Sequence, residues 1–312
     1  MFPVALAFFL FCGIVFLREI VICCKIMIYL SHFEFPNLER EQSFRMNLKR
    51  TCYDTIYPFF VLSRHGLTQL DFEPITILYG GNGSGKTTAL NVIAETLHLE
   101  RDTLYNRSNF FGDYTRLCSY RLSKSIPQNS RMIASDDVFD FMLNLRNLNE
   151  GIDQKREELF EDYLDAKYAH FQMTSLDDYE QLKKVCDARK RTTSQSRFVR
   201  SRLMGNVREQ SNGESGFLYF TEKIRENGLY LLDEPENSLS PERQQELVRF
   251  LEESARYFGC QMIIATHSPF LLSMRGAKIY DFDEEVVDVK RWTDLKNVRL
   301  YYDFFKKHEN EF

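Results

Sequence analysis

With 312 residues, 44% hydrophobic and 27% charged, the chain is ordinary globular material, long enough for one large α/β domain or for one domain carrying an inserted subdomain. Its net charge of −5 decides neither for nor against nucleic acid, because charge segregates locally. The seven cysteines (Cys12, Cys23, Cys24, Cys52, Cys118, Cys186, Cys260) form no C-x-x-C and the six histidines no H-x-H or H-E-x-x-H; this excludes a disulfide framework and a zinc site and points to a reducing compartment.

The N-terminus stands apart. Residues 2–17, FPVALAFFLFCGIVFL, carry no charge, and after Arg18 and Glu19 the apolar character resumes through Val21–Cys24. A signal peptide would need a basic segment before Phe2, and a membrane anchor needs about 20 uninterrupted apolar residues. A third reading starts translation at Met27, so that Met27–Phe35 becomes the first strand. The later start is preferred, because the remaining chain reads as a soluble, cytoplasmic protein; an anchor would make it membrane-associated.

Residues 27–79 read as strands and turns. The last of them, Ile75-Thr76-Ile77-Leu78-Tyr79, is an apolar run typical of a buried strand. Gly80-Gly81-Asn82-Gly83-Ser84-Gly85-Lys86-Thr87-Thr88 follows, and Leu90, Ile93, Ala94 and Leu97 then recur at helical spacing. Strand, glycine loop and helix are the context in which G-x-x-x-x-G-K-[ST] becomes a phosphate-binding P-loop. Its backbone N–H groups converge on phosphate oxygens at the positive end of the following helix. Lys86 is expected to reach the β- and γ-phosphates of ATP, and the Thr87 hydroxyl to take one position on Mg²⁺.

From Arg101 to Gln210 the strand signal fades, and this stretch reads as a mostly helical insert. Asp136–Leu148 and Asp153–Phe171 are predicted as helices, the first capped by Ser135 or Asp136. The second half of the insert is basic: residues 183–208 hold Lys183, Lys184, Arg189, Lys190, Arg191, Arg197, Arg200, Arg202 and Arg208 against Asp187 alone, a net +8. A solvated helix face accounts for such a run; so does contact with phosphate, of nucleic acid or of a nucleotide held by a partner subunit. Phe198 is the only aromatic interleaved, which argues against a stacking platform for single strands.

The α/β pattern returns after 210. Leu229-Tyr230-Leu231-Leu232 reads as a buried strand ending in Asp233-Glu234. Ser240 as N-cap, Pro241 and Glu242 then open a helix whose Leu247, Phe250, Leu251 and Phe258 are expected to face the core before Gly259 closes it. Gln261–Thr266 is the next strand, followed by His267-Ser268. A hairpin of 277–282 with 286–289 and a helix over 293–308 complete the chain. An acid that ends a strand beside a P-loop lies at the carboxyl edge of a parallel sheet, where ligands bind. Asp233 is thus placed to hold Mg²⁺ through its water shell, Glu234 to act as general base on the attacking water, and His267 to contact the γ-phosphate and the base.

P-loop, Ser211-Asn212-Gly213-Glu214-Ser215, Leu231-Leu232-Asp233-Glu234-Pro235-Glu236 and Ala265-Thr266-His267-Ser268-Pro269 occur in a fixed order. In this order the chain resembles the ATP-binding-cassette (ABC) class of ATPases from about residue 27 to the C-terminus, interrupted by the insert. S-N-G-E, D-E-P-E and T-H-S-P are similar to the soluble SMC/RecF-like branch, and the whole resembles a family of small stand-alone ATPases described as AAA or ABC-like. The resemblance implies an α/β P-loop NTPase fold of ABC-ATPase type, with a mostly parallel core sheet (27–100 and 211–312), flanking helices and an inserted helical subdomain (101–210). It also implies an ATP-dependent homodimer in which Ser211, Gly213 and Glu214 of one subunit complete the site of the other. Two departures stand in that segment: Gln210 replaces the usual leucine, and Asn212 a glycine. Gln128, within Ser125–Asn129, lies in the region where the class places a glutamine on the metal.

The leading expectation is a soluble ATPase whose ATP-driven dimerisation switches a partner, in DNA repair or defence. A transporter ATPase subunit is the alternative, supported by the apolar N-terminus and opposed by the signature and the insert. A nucleic-acid-binding ATPase is the third, supported by 183–208. The stretch after Gly276 is too short for an appended nuclease domain, so any effector is expected to be a separate chain.

Overall fold

The computed structural model describes residues 25–49, 53, 55–168, 179–190, 194–200, 203, 212–237 and 239–312. The expectations for residues 1–24 and for Ser211 lie outside them. In chain order the elements are β1 (Leu30–Glu34), α1 (Leu38–Asn47), β2 (Gln69–Asp71), β3 (Ile75–Tyr79), α2 (Lys86–Thr96), α3 (Phe111–Thr115), β4 (Ser119–Leu122), β5 (Arg131–Ala134) and α4 (Ser135–Tyr168). They continue with α5 (Tyr179–Arg189), α6 (Gln195–Arg200), α7 (Asn212–Lys223), β6 (Leu229–Asp233), α8 (Pro241–Tyr257), β7 (Gln261–Thr266), α9 (Pro269–Leu272), β8 (Lys278–Asp281), β9 (Asp288–Lys290) and α10 (Lys296–Lys307). Two compact units result, Met1–Val138 with Gly216–Phe312 and Phe139–Ser215.

The first unit is built on a six-stranded sheet of order β5-β6-β7-β3-β8-β9, parallel except for the terminal β8–β9 pair. Every residue of β3, β6 and β7 is buried, as continuous apolar runs in a doubly covered parallel sheet require. A second, antiparallel sheet has the order β2-β1-β4. Gln261 staples the two together from the first position of β7. Its side-chain oxygen accepts the N–H groups of Tyr29 (2.8 Å) and Leu30 (2.9 Å), and its nitrogen donates to Leu30 O (2.8 Å). The residue is wholly buried, so Gln261→Leu would strand three backbone groups. At about 1–3 kcal/mol for each unsatisfied group, the variant is expected to lose at least 3 kcal/mol of stability, read as a lowered urea midpoint.

Helix α8 forms as its sequence dictates: Ser240 accepts the Arg243 N–H, Pro241 occupies the first turn, and Gly259 takes φ +65° after the helix. Leu247 and Leu251 are wholly buried, but Phe258 is 44% exposed, because it caps the helix instead of lying on its inner stripe. Helix α10 buries Leu295 and Val298 at its start and leaves Leu300, Phe304 and Phe305 exposed.

The helical insert is smaller than the span 101–210. Strand β5 belongs to the core sheet and β4 to the antiparallel sheet, so the second unit begins only at Phe139. Both strands have four residues, and β4 is exposed throughout, so neither carries the apolar alternation by which strands are read. The two helices expected over 136–148 and 153–171 are one, α4. Gly151 costs about 1 kcal/mol relative to alanine inside a helix, too little to break a 34-residue element. In the second unit Leu159, Tyr163, Ala188, Phe198 and Val199 form a small core.

Candidate functional site

The parallel register sets the site. Tyr79 at the end of β3 is paired with Thr266 at the end of β7, and Asp233 at the end of β6 with Ala265. The P-loop, Asp233-Glu234 and His267 therefore leave the sheet side by side along one carboxyl edge.

The loop of residues 80–85 turns into α2 at Gly85, whose φ of +96° a side chain would resist. A Cβ there would also press within 3.1 Å of Leu62 Cδ2. No side chain caps α2, so the N–H groups of its first turn remain open to an anion at the positive end of the helix. Lys86 is 4% exposed, and its ammonium donates to the carbonyls of Gly80 (2.7 Å) and Gly81 (2.9 Å). Thr87 Oγ1 donates to Asp233 Oδ1 at 3.1 Å, and Thr88 Oγ1 lies 3.1 Å from the Tyr57 hydroxyl.

Asp233 is buried, and that burial is the main force pushing its carboxyl up to about 6. The charges of Glu234 and Glu236 raise it further, while the Thr87 hydrogen bond and Lys86 oppose them. A buried carboxylate crowded by two others is short of positive charge. With the Thr87 hydroxyl beside it, it offers the oxygen donors that Mg²⁺ takes when phosphates and water fill its remaining positions. Glu234 has φ +47°, a left-handed conformation unusual for this residue and of the kind held at functional sites. Its Oε2 accepts from Asn237 Nδ2 at 2.9 Å, and its Oε1 lies 3.7 Å from His267 Nδ1.

The structure thus brings together Gly80, Gly81, Asn82, Gly83, Ser84, Gly85, Lys86, Thr87, Thr88, Asp233, Glu234 and His267. Gln128 is a correction. It is exposed in the turn before β5, and β5 runs parallel to β6 with Arg131 beside Tyr230 and Ala134 beside Asp233. Gln128 therefore sits at the opposite edge of the sheet from Asp233. The residues that reach the carboxyl edge after β5 are Ser135 and Asp136. Gly213 and Glu214 lie in the first turn of α7. In the second unit Lys183, Arg189, Lys190, Arg197 and Arg200 are exposed, whereas Phe198 is buried against Tyr163 with ring centroids 5.3 Å apart. Arg191, Arg202 and Arg208 lie outside the described residues.

Sequence reasoning missed Asp283, whose Oδ1 accepts the Gly81 N–H at 2.7 Å and anchors the start of the P-loop to the β8–β9 connection. It stands in an acidic run, 281–285, with no periodicity to mark it.

A family model described as ABC transporter matches residues 68–237, more than half of the chain. The chain belongs to the ABC transporter family. A second model, an AAA domain described in connection with the AbiEii toxin of Type IV TA systems, matches residues 206–273. Among solved structures, this ABC-type chain is similar to the SMC head domain of Pyrococcus furiosus bound to the C-terminal domain of ScpA. The two are 12% identical, with 90% of this chain and 100% of that chain covered and a TM-score of 0.40. It is also similar to CbiO1 of Clostridium perfringens, part of the ABC transporter complex CbiONQ (14% identity, 90% and 94% covered, TM-score 0.37). The SMC head domain of Thermotoga maritima is a third (11%, 85% and 99%, 0.36). No curated protein matches the chain. The ABC family and the mostly parallel core sheet are those of NTP-hydrolysing proteins. No helix among the described residues is long and apolar enough to cross a membrane.

Proposed function

We propose that this ABC-type chain binds ATP with Mg²⁺ at the carboxyl edge of its core sheet and hydrolyses the bond to the γ-phosphate, using ATP-bound closure of two copies as a switch on a separate partner chain. The observation that carries the reading is the convergence of Lys86, Thr87, Asp233, Glu234 and His267 on the open N-terminus of α2. Lys86 and the first-turn N–H groups hold the phosphates; Thr87 and Asp233 hold the cation. When bound there, Mg²⁺ would neutralise charge developing on the transferred phosphoryl group. Glu234 takes the proton of the attacking water, and His267 stands beside it to contact the γ-phosphate. Phosphate release from ATP, with and without Mg²⁺, tests the reading.

A P-loop binds the nucleotide from one side, and Ser211, Gly213 and Glu214 of a second copy supply the missing wall. Ser211→Arg is expected to leave ATP affinity nearly intact and to abolish turnover. Mixing it with Lys86→Ala restores part of the activity, because one site of the mixed dimer keeps an intact P-loop opposite an intact signature. Phosphate release from the mixture measures the rescue; absence of any rescue, with Ser211→Arg as active as the parent, contradicts the two-copy site. The match to the ABC transporter model favours a second reading, an ATP-binding subunit of a membrane transporter. Recovery of the chain in a complex with a membrane permease would select it. The exposed basic residues of the second unit support phosphate-backbone contact in the repair or defence setting, and such binding would weaken steeply with salt.

A further inference from the structure

Beside Asp233 and Glu234, one buried carboxylate is left without a part in this chemistry. The Glu236 side chain is 5% exposed, and its Oε1 accepts three hydrogen bonds from three consecutive residues. They come from the Thr266 hydroxyl (2.5 Å), the His267 N–H (3.1 Å) and the Ser268 N–H (3.2 Å). These residues form the turn that leaves β7. Thr266 Oγ1 accepts the Ser268 N–H in addition (3.0 Å), and Ser268 Oγ donates to Gln244 Oε1 (2.7 Å), which ties the turn to α8. Among the described residues His267 Nδ1 takes no hydrogen bond: it is 3.7 Å from Glu236 Oε1 and 3.7 Å from Glu234 Oε1, beyond hydrogen-bond distance. Glu236 thus grips the Thr266 hydroxyl and the backbone N–H groups of His267 and Ser268, and leaves the ring beside Glu234.

We infer that Glu236 is a positioning residue for hydrolysis, acting through His267 by fixing the 266–268 turn so that the imidazole faces the γ-phosphate position next to Glu234. The inference rests on the ATPase reading. A charged acceptor gathering three donors in a buried place holds its partners more firmly than a neutral one. A displacement of about 1 Å at a catalytic group costs about 10²-fold in rate.

The test is a double-mutant cycle on the full chain, measuring Mg·ATP turnover, ATP affinity and urea midpoint for the parent, Glu236→Ala, His267→Ala and the double variant. Glu236→Ala is expected to lower kcat about 10²-fold with ATP affinity unchanged within about twofold. In the His267→Ala background the same substitution is expected to change kcat no further, since the residue through which it acts is gone. Glu236→Gln, which keeps an acceptor oxygen, is expected to recover most of the kcat. If Glu236→Ala does not fold, Glu236→Asp replaces it, because its shorter side chain withdraws the acceptor. Losses that multiply in the double variant, or a Glu236→Ala protein with parental kcat, overturn the inference. A parent that neither binds nor hydrolyses ATP overturns the ATPase reading itself, and the two failures are thereby told apart.

Discussion

Lys86→Ala is expected to weaken ATP binding by about a hundredfold or more. Lys86 is held almost wholly inside the loop by the carbonyls of Gly80 and Gly81, its ammonium at the mouth of α2 where the β- and γ-phosphates are to lie. A hydrogen bond to a charged group contributes about 1.5–3 kcal/mol, and about 2.8 kcal/mol corresponds to a hundredfold in affinity. The substitution also leaves the two glycine carbonyls without their donor, so the loop loses part of the order that presents its N–H groups. Calorimetric titration with Mg·ATP measures the effect. An alanine variant that binds ATP as the parent does removes the P-loop assignment.

The second large effect is on turnover. Glu234→Gln is expected to retain ATP affinity and to lose hydrolysis by about 10²–10⁴-fold, the range associated with a general base. The glutamine has the shape of the glutamate and still offers an oxygen to Asn237 Nδ2, so the left-handed turn at position 234 survives. Asp233, the proposed cation ligand, is untouched. Without proton abstraction, closed pairs of chains are expected to accumulate in ATP, and light scattering is expected to report twice the parental mass. A variant that turns over at the parental rate assigns the base elsewhere; one that stays single in saturating ATP contradicts closure of two copies.

The central strands and the placement of the candidate site at their ends were legible because buried parallel strands leave unbroken apolar runs, as in Ile75–Tyr79, Leu229–Asp233 and Gln261–Thr266. Each is followed at once by the residues it positions. Asp233, Glu234 and His267 could therefore be placed beside the P-loop from sequence alone. Strands β4 and β5 were not legible, since four residues carry too little pattern, and missing β5 misplaced the metal-ligand candidate. Gln128 precedes that strand, while Ser135 and Asp136 follow it at the carboxyl edge. The sequence pattern ends one helix at Leu148 and opens the next at Asp153, but the intervening Gly151 is tolerated and α4 runs through both. Glu236 and Asp283 were out of reach for another reason. Their bonds to residues 266–268 and to Gly81 join segments distant in the chain, which no local spacing encodes.

One measurement bears most directly on the whole account: equilibrium binding of ATP to the parent chain, with phosphate release followed in the same sample as Mg²⁺ is added. One ATP per chain is predicted, with phosphate release that begins only when Mg²⁺ is present and stops when it is chelated. A chain that leaves millimolar ATP unbound, or releases phosphate at the same rate without Mg²⁺, contradicts the site formed by Lys86, Thr87, Asp233 and Glu234.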